Sequence, residues 1–359
     1  PNICSRHSVI TKYDHEVQGG TVIKPMQGKF GDGPGDAAVI WPHSATGDLK
    51  NFAGFAVTHG FNPAVGRLDP YRMALYSVDE AMRNLLCVGA EISRTALLDN
   101  FCAAGPADPE VMGGLTLAAE GCYDAAIGYG APFISGKDSF YNQSKDAAGK
   151  DYPIPLSLLI SAMAPVEDIR KAITMNFKEA GDPVYLAGFG QKGMGGSVYG
   201  ELYDCGNNYL GPVDIKAAVR LYAVLLKAIK KGYVTAAHDV SQGGLAVTLA
   251  EMAFSGGLGA ELDLAGSVIE KGCSNLERLF GESPSRLVLE VAKEKEGEFL
   301  ELVKGLPRTL AASEKVRGLP VEEIGFVSEA PVLSVKAGGG LLFREDINAF
   351  KKCWQRELL

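Results

Sequence analysis

The stretch His238-Asp239-Val240-Ser241-Gln242-Gly243-Gly244-Leu245 puts an acid, a hydroxyl and two glycines where a strand should feed a helix. Residues 232–237 before it are apolar and β-prone. Residues 245–254 after it carry Leu245, Leu249, Met252 and Ala253 on one helical face. A helix start offers unpaired N–H groups and a positive dipole end to an anion. Glycine lets a phosphate approach the backbone. Asp239 suits a cation bridging such phosphates, because hard divalent ions take oxygen ligands. The same residues also read as an ordinary helix start, with Asp239 and Ser241 capping and the glycines turning the chain. On these eight residues both readings stay open.

Three other places could carry chemistry. Glu80 and Asn84 are four apart in an amphipathic run over residues 73–88, so their oxygens share one helix face. That suits two ligands of one Mg²⁺, and equally a solvated pair. Gly89 is a fitting stop for that helix. Asp36 follows a glycine-rich loop over residues 28–35, which lacks the ending of a Walker A motif. Asp99 and Asn100 end a β-like run over residues 92–98. Gly136-Lys137-Asp138-Ser139 follows a short strand over residues 132–135 and reads as a loop in which a phosphate and its metal could sit.

The elements that must hold these residues alternate between strand and helix, so the class is α/β or α+β. Residues 8–12 are β-prone, and further strands are expected at 36–40, 52–59, 155–163, 184–189, 286–291, 322–327 and 332–335. Helices are expected at 111–127, 214–230 and near 293–304. A charge shift followed by Gly181-Asp182-Pro183 marks a boundary. The expected division is an N-terminal segment (1–33), a first domain (34–168) and a second domain (169–359).

The chain has 359 residues with a formal net charge of −8, which argues against non-specific nucleic-acid or anionic-membrane binding. Its 7 cysteines are odd in number and form no CxxC pair, so reduced cytosolic thiols are expected rather than disulfides or zinc. No signal peptide or long apolar span is visible, and a cytoplasmic location follows as the expectation. The chain starts with Pro1, which raises the expectation of a fragment or processed product.

Taken in order, several stretches resemble the second half of the phosphoribosylformylglycinamidine synthase family. They are Tyr13-Asp14-His15, Gly35-Asp36-Ala37-Ala38-Val39, Asp69-Pro70-Tyr71-Arg72, Glu80-Ala81-Met82-Arg83-Asn84, Leu98-Asp99-Asn100, Gly136-Lys137-Asp138-Ser139, the stretch at 238–245, and Phe280-Gly281-Glu282. Their order and spacing carry the likeness. It implies a two-domain unit shared with aminoimidazole ribonucleotide synthetase, whose first domain pairs with a second copy to close a β-barrel.

The resemblance also implies ATP-dependent amidination of formylglycinamide ribonucleotide in purine synthesis, with ammonia from a glutaminase subunit. It makes Asp36, Glu80, Asn84 and Asp239 Mg²⁺ ligands of a nucleotide site, with Gly35 and Ser241 near the ATP or ADP. It places Asp99, Gly136 and Lys137 at the ATP of a second, shared site, and Ser139 at the substrate phosphate. Small-type members carry a metal-binding Asn where Lys137 stands, so a metal role there passes to Asp138. The family's catalytic histidine belongs to the missing N-terminal half, so no catalytic residue and no turnover are expected of this chain alone, and a homodimer is expected in place of the missing half. The rival readings are a non-catalytic, nucleotide-stabilised half, or a free-standing relative such as selenophosphate synthetase or thiamine-monophosphate kinase. Cys4, in Ser-Arg-His context, does not resemble the reactive cysteine that selenophosphate synthetase would need.

Overall fold

The computed structural model describes residues 3–13, 16–266, 268–306 and 320–356. Asp14 and His15 of the Tyr13-Asp14-His15 motif lie outside them. The first part of the chain forms β1 (Thr21–Ile23), β2 (Ala38–Ile40), β3 (Gly54–Phe61), β4 (Ala96–Cys102), β5 (Phe133–Ser139), a small ribbon of β6 (Gln143–Lys145) and β7 (Asp151–Pro153), and β8 (Ser157–Val166). Its helices are α1 (His7–Ile10), α2 (His43–Thr46), α3 (Pro63–Gly66), α4 (Pro70–Cys87) and α5 (Pro109–Tyr129). The six long-range strands lie in the order β1-β2-β3-β8-β4-β5, antiparallel except for the β4–β5 pair.

The second part forms β9 (Pro183–Ala187), β10 (Val234–Asp239), β11 (Gly259–Asp263), β12 (Leu287–Val291), β13 (Val321–Ser328), β14 (Val332–Ala337) and β15 (Gly340–Asp346). Its helices are α6 (Val198–Tyr203), α7 (Ile215–Lys230), α8 (Gly244–Gly256), α9 (Asn275–Phe280), α10 (Glu296–Val303) and α11 (Ile347–Trp354). The sheet order is β10-β12-β9-β13-β11-β14-β15, and within this sheet β11–β14 is the one parallel pair among the described strands.

Helix α4 is the hinge pin of the packing. Asp69 caps it by accepting the Arg72 N–H, Pro70 fits its first turn, and Gly89 at φ 79° ends it. One side of α4 packs on β3 and β8, and the other meets α5, α7 and β10. Leu158, Ile160, Ala162 and Ala164 of β8 are buried on the α4 side, following the period of two of a strand. Strands β9 and β12 are buried throughout, as expected of strands covered on both faces. Helix α8 is apolar nearly all round and is buried accordingly.

Three local expectations change. Residues 8–12 do not form a strand; the helical turn α1 (His7–Ile10) stands there, pairs with no strand among the described residues, and packs Ile10 on the second core. Residues 92–94 are a 3₁₀ turn, and the strand runs on through Asp99 and Asn100 to Cys102. Gly136–Ser139 is not a loop but the end of β5, held by parallel pairing with residues 99–102 of β4.

Candidate nucleotide and metal site

A cavity of about 610 Å³ opens between the two sheets, where the end of β10 meets α4 and the glycine-rich loop. Gly35, Asp36, Glu80, Asn84, Asp239 and Ser241 all line it. These six were expected to share one nucleotide site. The volume lies within the range usual for small-ligand sites.

Each ligand candidate is set by its own element. Asp36 sits just before β2, after a hairpin closed by the Gln27–Gly33 backbone pair. The glycines of that hairpin serve packing. A Cβ on Gly33 would run into Ser255 Oγ, and one on Gly28 would come 2.6 Å from the Ser255 carbonyl. The loop therefore docks on the end of α8 and delivers Asp36 to the cavity. Asp36 Oδ1 accepts from His238 Nδ1 at 2.8 Å and from the Asp239 N–H at 3.1 Å.

Glu80 and Asn84 leave α4 on one face, as their spacing requires. Glu80 Oε2 accepts from the Phe61 N–H at 3.0 Å and from Asn62 Nδ2 at 2.6 Å. Asn84 Nδ2 donates to the His59 carbonyl at 3.1 Å, which turns its Oδ1 the other way. Asp239 Oδ1 accepts from Ser241 Oγ at 2.9 Å. Two buried oxygens, Asn84 Oδ1 and Asp239 Oδ2, have no hydrogen-bond partner. Buried polar atoms are almost always paired, so the donor set is short of a cation. Asp36, His238 and Asp239 form a potential metal-holding cluster, with ligand atoms within 4.8 Å of one another.

The electrostatics agree. Burial, then the Asp239 carboxylate, raise the Glu80 pKa. Burial raises that of Asp239 too, against the pull of Arg83. Crowded carboxylates of this kind need positive charge to stay ionised. Part of it comes from His238, whose Nε2 also meets Glu251 at 3.0 Å. Burial opposes its charged form, but Asp36 and Glu251 outweigh that and hold His238 well above its ordinary range. Asp36, Glu80, Asn84 and Asp239 offer three carboxylates and one amide oxygen to the same cavity, the donor types a hard divalent cation takes, and among the described residues it is Asp36 and Asp239, with His238, whose ligand atoms come within 4.8 Å of one another.

Several contributors were not singled out from the sequence. Arg83 Nε lies 3.3 Å from Asp239 Oδ2, without hydrogen-bond geometry, while its Nη1 reaches Asp79 at 2.5 Å. Asp79 also accepts from Tyr129, Tyr222, and both the N–H and hydroxyl of Ser285. The signal was an acid and a base four apart inside a helix otherwise set by an apolar stripe. Glu282, present in the sequence only as part of a motif, has its Oε1 accept from the N–H groups of Val198 and Gly243, each at 2.8 Å.

That contact corrects one expectation. At the start of α8 the Gly243 N–H is taken by Glu282, so that one donor is not open to an anion. Nor do Asp239 and Ser241 cap the helix; Gly243 stands at the cap with no side-chain bond.

The other group of candidates lies elsewhere. Asp99, Gly136, Lys137, Asp138 and Ser139 sit on β4 and β5, with β3 and β8 between them and β2, and none lines the cavity. Asp99 packs so closely over Gly136 that a Cβ there would meet its carboxylate oxygen at 2.2 Å. Burial, then Asp138, raise the Asp99 pKa. The Lys137 ammonium contacts Ser139 Oγ. Asp138 joins no cluster of three or more metal-ligating side chains among the described residues.

The model of the AIR synthase related protein N-terminal domain matches residues 34–160, and that of the C-terminal domain matches residues 179–337. The chain belongs to the AIR synthase related family. It is 36% identical over 289 residues to the phosphoribosylformylglycinamidine synthase subunit PurL of Thermococcus sibiricus, a match covering 80% of this chain and 37% of that one. PurL of Synechocystis sp. is 32% identical over 360 residues, covering 99% of this chain and 44% of the relative. The chain therefore spans about two-fifths of the length of these curated relatives. Among solved structures, Thermotoga maritima PurL complexed with FGAR superposes with a TM-score of 0.67 at 18% identity, covering 87% of this chain and 48% of that one. A chain of the HypE–HypF complex gives a TM-score of 0.56 at 15% identity, covering 87% and 92%. The fold is thus that of a two-domain synthetase unit.

Proposed function

We propose that this chain serves as the second half of a phosphoribosylformylglycinamidine synthase, in the ATP-dependent amidination of formylglycinamide ribonucleotide. The relatives named PurL support this reading, as do Thermotoga maritima structures complexed with FGAR, ADP and ATP. The observation that carries the site is the pair of buried oxygens without a hydrogen bond, Asn84 Oδ1 and Asp239 Oδ2, in one cavity with Asp36 and Glu80. Those four residues hold Mg²⁺, and Gly35 and Ser241 face the ATP or ADP. The cation offsets phosphate charge. The chain's own part is to fix the ligands: Asn62 and the Phe61 N–H orient Glu80, His238 holds Asp36, and Arg83 stands behind Asp239.

The β4–β5 edge is the second part of the proposal. Asp99, Gly136, Lys137, Asp138 and Ser139 belong to a site completed by the N-terminal half of such a synthase, with Asp138 as the metal-side acid and Ser139 toward the substrate phosphate. No turnover is expected from this chain alone, and a glutaminase subunit supplies ammonia to the whole enzyme. The domain boundary is placed at 168/169 on the charge shift and the Gly181-Asp182-Pro183 break. A second reading keeps the nucleotide as a structural ligand. It is favoured by Glu282, whose Oε1 takes the Gly243 N–H at the helix start and so removes one donor from a transferring phosphate.

Calorimetry tests the site. Asp239→Ala and Glu80→Ala should each weaken Mg·ADP binding, and with it the nucleotide-dependent rise in Tm. A ligand confined to the folded state stabilises by about 2.7 kcal/mol at a hundredfold excess over Kd. Unchanged affinity in both variants would remove the metal assignment.

A further inference from the structure

Helix α8 reaches the end of β10 with two side chains one turn apart. Thr248 Oγ1 donates to the Asp239 carbonyl at 3.0 Å. Glu251 shares that helix face and sets its Oε2 3.0 Å from His238 Nε2. The other ring nitrogen, Nδ1, lies 2.8 Å from Asp36 Oδ1. An ionised carboxylate only accepts, so the imidazole donates on both sides and its plane is fixed between two acids. Asp36 Oδ1 receives both this bond and the one from the Asp239 N–H. Oδ2 is then the oxygen left for a cation in the cavity that Asp36 lines.

We propose that Glu251 is a positioning residue for the cation: through His238 it fixes the carboxylate of Asp36, and neither Glu251 nor the imidazole is itself a ligand. This rests on the metal–nucleotide reading above. His238 is close enough to Asp36 and Asp239 for its ring to count as a third ligand. Both of its nitrogens already face carboxylates, so the ring holds a ligand rather than being one. The line from Glu251 through His238 to Asp36 joins α8, β10 and the end of the hairpin before β2. A group that orients a metal ligand from behind carries about tenfold to a hundredfold in metal affinity without touching the ion.

The test uses the full chain with ADP and with Mn²⁺ as the probe ion, free Mn²⁺ being read by electron paramagnetic resonance. Glu251→Ala should weaken Mn²⁺ binding by about tenfold or more. Glu251→Gln, whose amide oxygen still accepts from Nε2, should recover most of that loss. His238→Asn keeps a donor close to the Nδ1 position but cannot reach Glu251, so in that background Glu251→Ala should cost less than about twofold. Ring-nitrogen NMR without Mn²⁺ follows the imidazole itself. Its Nε2–H proton should be protected from solvent in the wild type and in Glu251→Gln, and exchange freely in Glu251→Ala. A lower Tm in Glu251→Ala with wild-type Mn²⁺ affinity makes the residue merely structural and overturns the proposal. An undiminished loss in the His238→Asn background makes Glu251 a ligand, and an equal loss in Gln and Ala variants makes its charge act across the cavity; either result overturns it too. If the wild type binds no Mn²⁺, the metal reading falls and takes this one with it. A wild type that binds Mn²⁺ while the ring proton ignores Glu251 overturns this one alone.

Discussion

At the scale of single residues, the site depends on a carboxylate that never touches the cavity. Asp79 is fully buried, and its two oxygens accept from Arg83, Tyr129, Tyr222 and twice from Ser285. These bonds join α4 to α5, to α7, and to the segment entering β12. They also hold Ser285 in a left-handed conformation, φ 58°, that a non-glycine residue adopts only when its surroundings fix it. Arg83 carries the arrangement onward to Asp239. Removing Asp79 leaves the Arg83 charge buried without its main partner, which costs more than the pair was worth. Asp79→Ala should therefore destabilise the fold by about 3–5 kcal/mol, read as a lower urea midpoint at unchanged slope. A loss under about 1 kcal/mol, the size of an exposed ion pair, would show that the network does not hold the domains together.

At the scale of elements, glycines report where backbone and side chain share space. Gly136 on β5 faces Asp99 on β4 across a parallel pair, and a Cβ would fall 2.2 Å from the acid's oxygen. Gly136→Ala should displace Asp99 and cost about 1–3 kcal/mol. The same change in an Asp99→Ala background should cost much less, because the obstructing atoms are gone; equal costs in both backgrounds would show that the two residues do not pack as described. Such contacts are invisible in a single sequence, which is why Gly136–Ser139 reads as a loop there. What was legible was local. The caps and stripe of α4, the apolar run of α8 and the strand feeding it follow from spacing and punctuation alone. Glu80 and Asn84 could be paired because helical period is local, and Asp36 and Asp239 could be joined to them through resemblance. Glu282 escaped because its partners, Val198 and Gly243, are far away in sequence. Residues 8–12 read as β-prone yet carry the helical turn α1, because β propensity says nothing about whether a partner strand exists.

At the scale of the whole molecule, the first sheet is only half covered. Helix α4 takes one face through β3 and β8. On the other face Val57 of β3 and Met163 of β8 stand opposite each other in register, and each is 38% exposed. Phe55, Phe61 and Leu159 are only partly buried on the same side by the alternation of their strands. The sheet also ends at β5, where Ile134 is 59% exposed and the outward backbone pairs with no strand among the described residues. An apolar face beside an unpaired strand edge is a template for association. A two-fold dimer is the simplest closed answer, since one self-complementary patch satisfies both copies. Wild-type chain at micromolar concentration should therefore sediment at twice its 38.0 kDa mass. Met163→Lys places a charge in the centre of that face and should give a folded monomer, with Mg·ADP binding retained because Met163 does not line the cavity. A wild-type monomer would count against the paired sheets. A Met163→Lys dimer as tight as the wild type would move the contact to another surface.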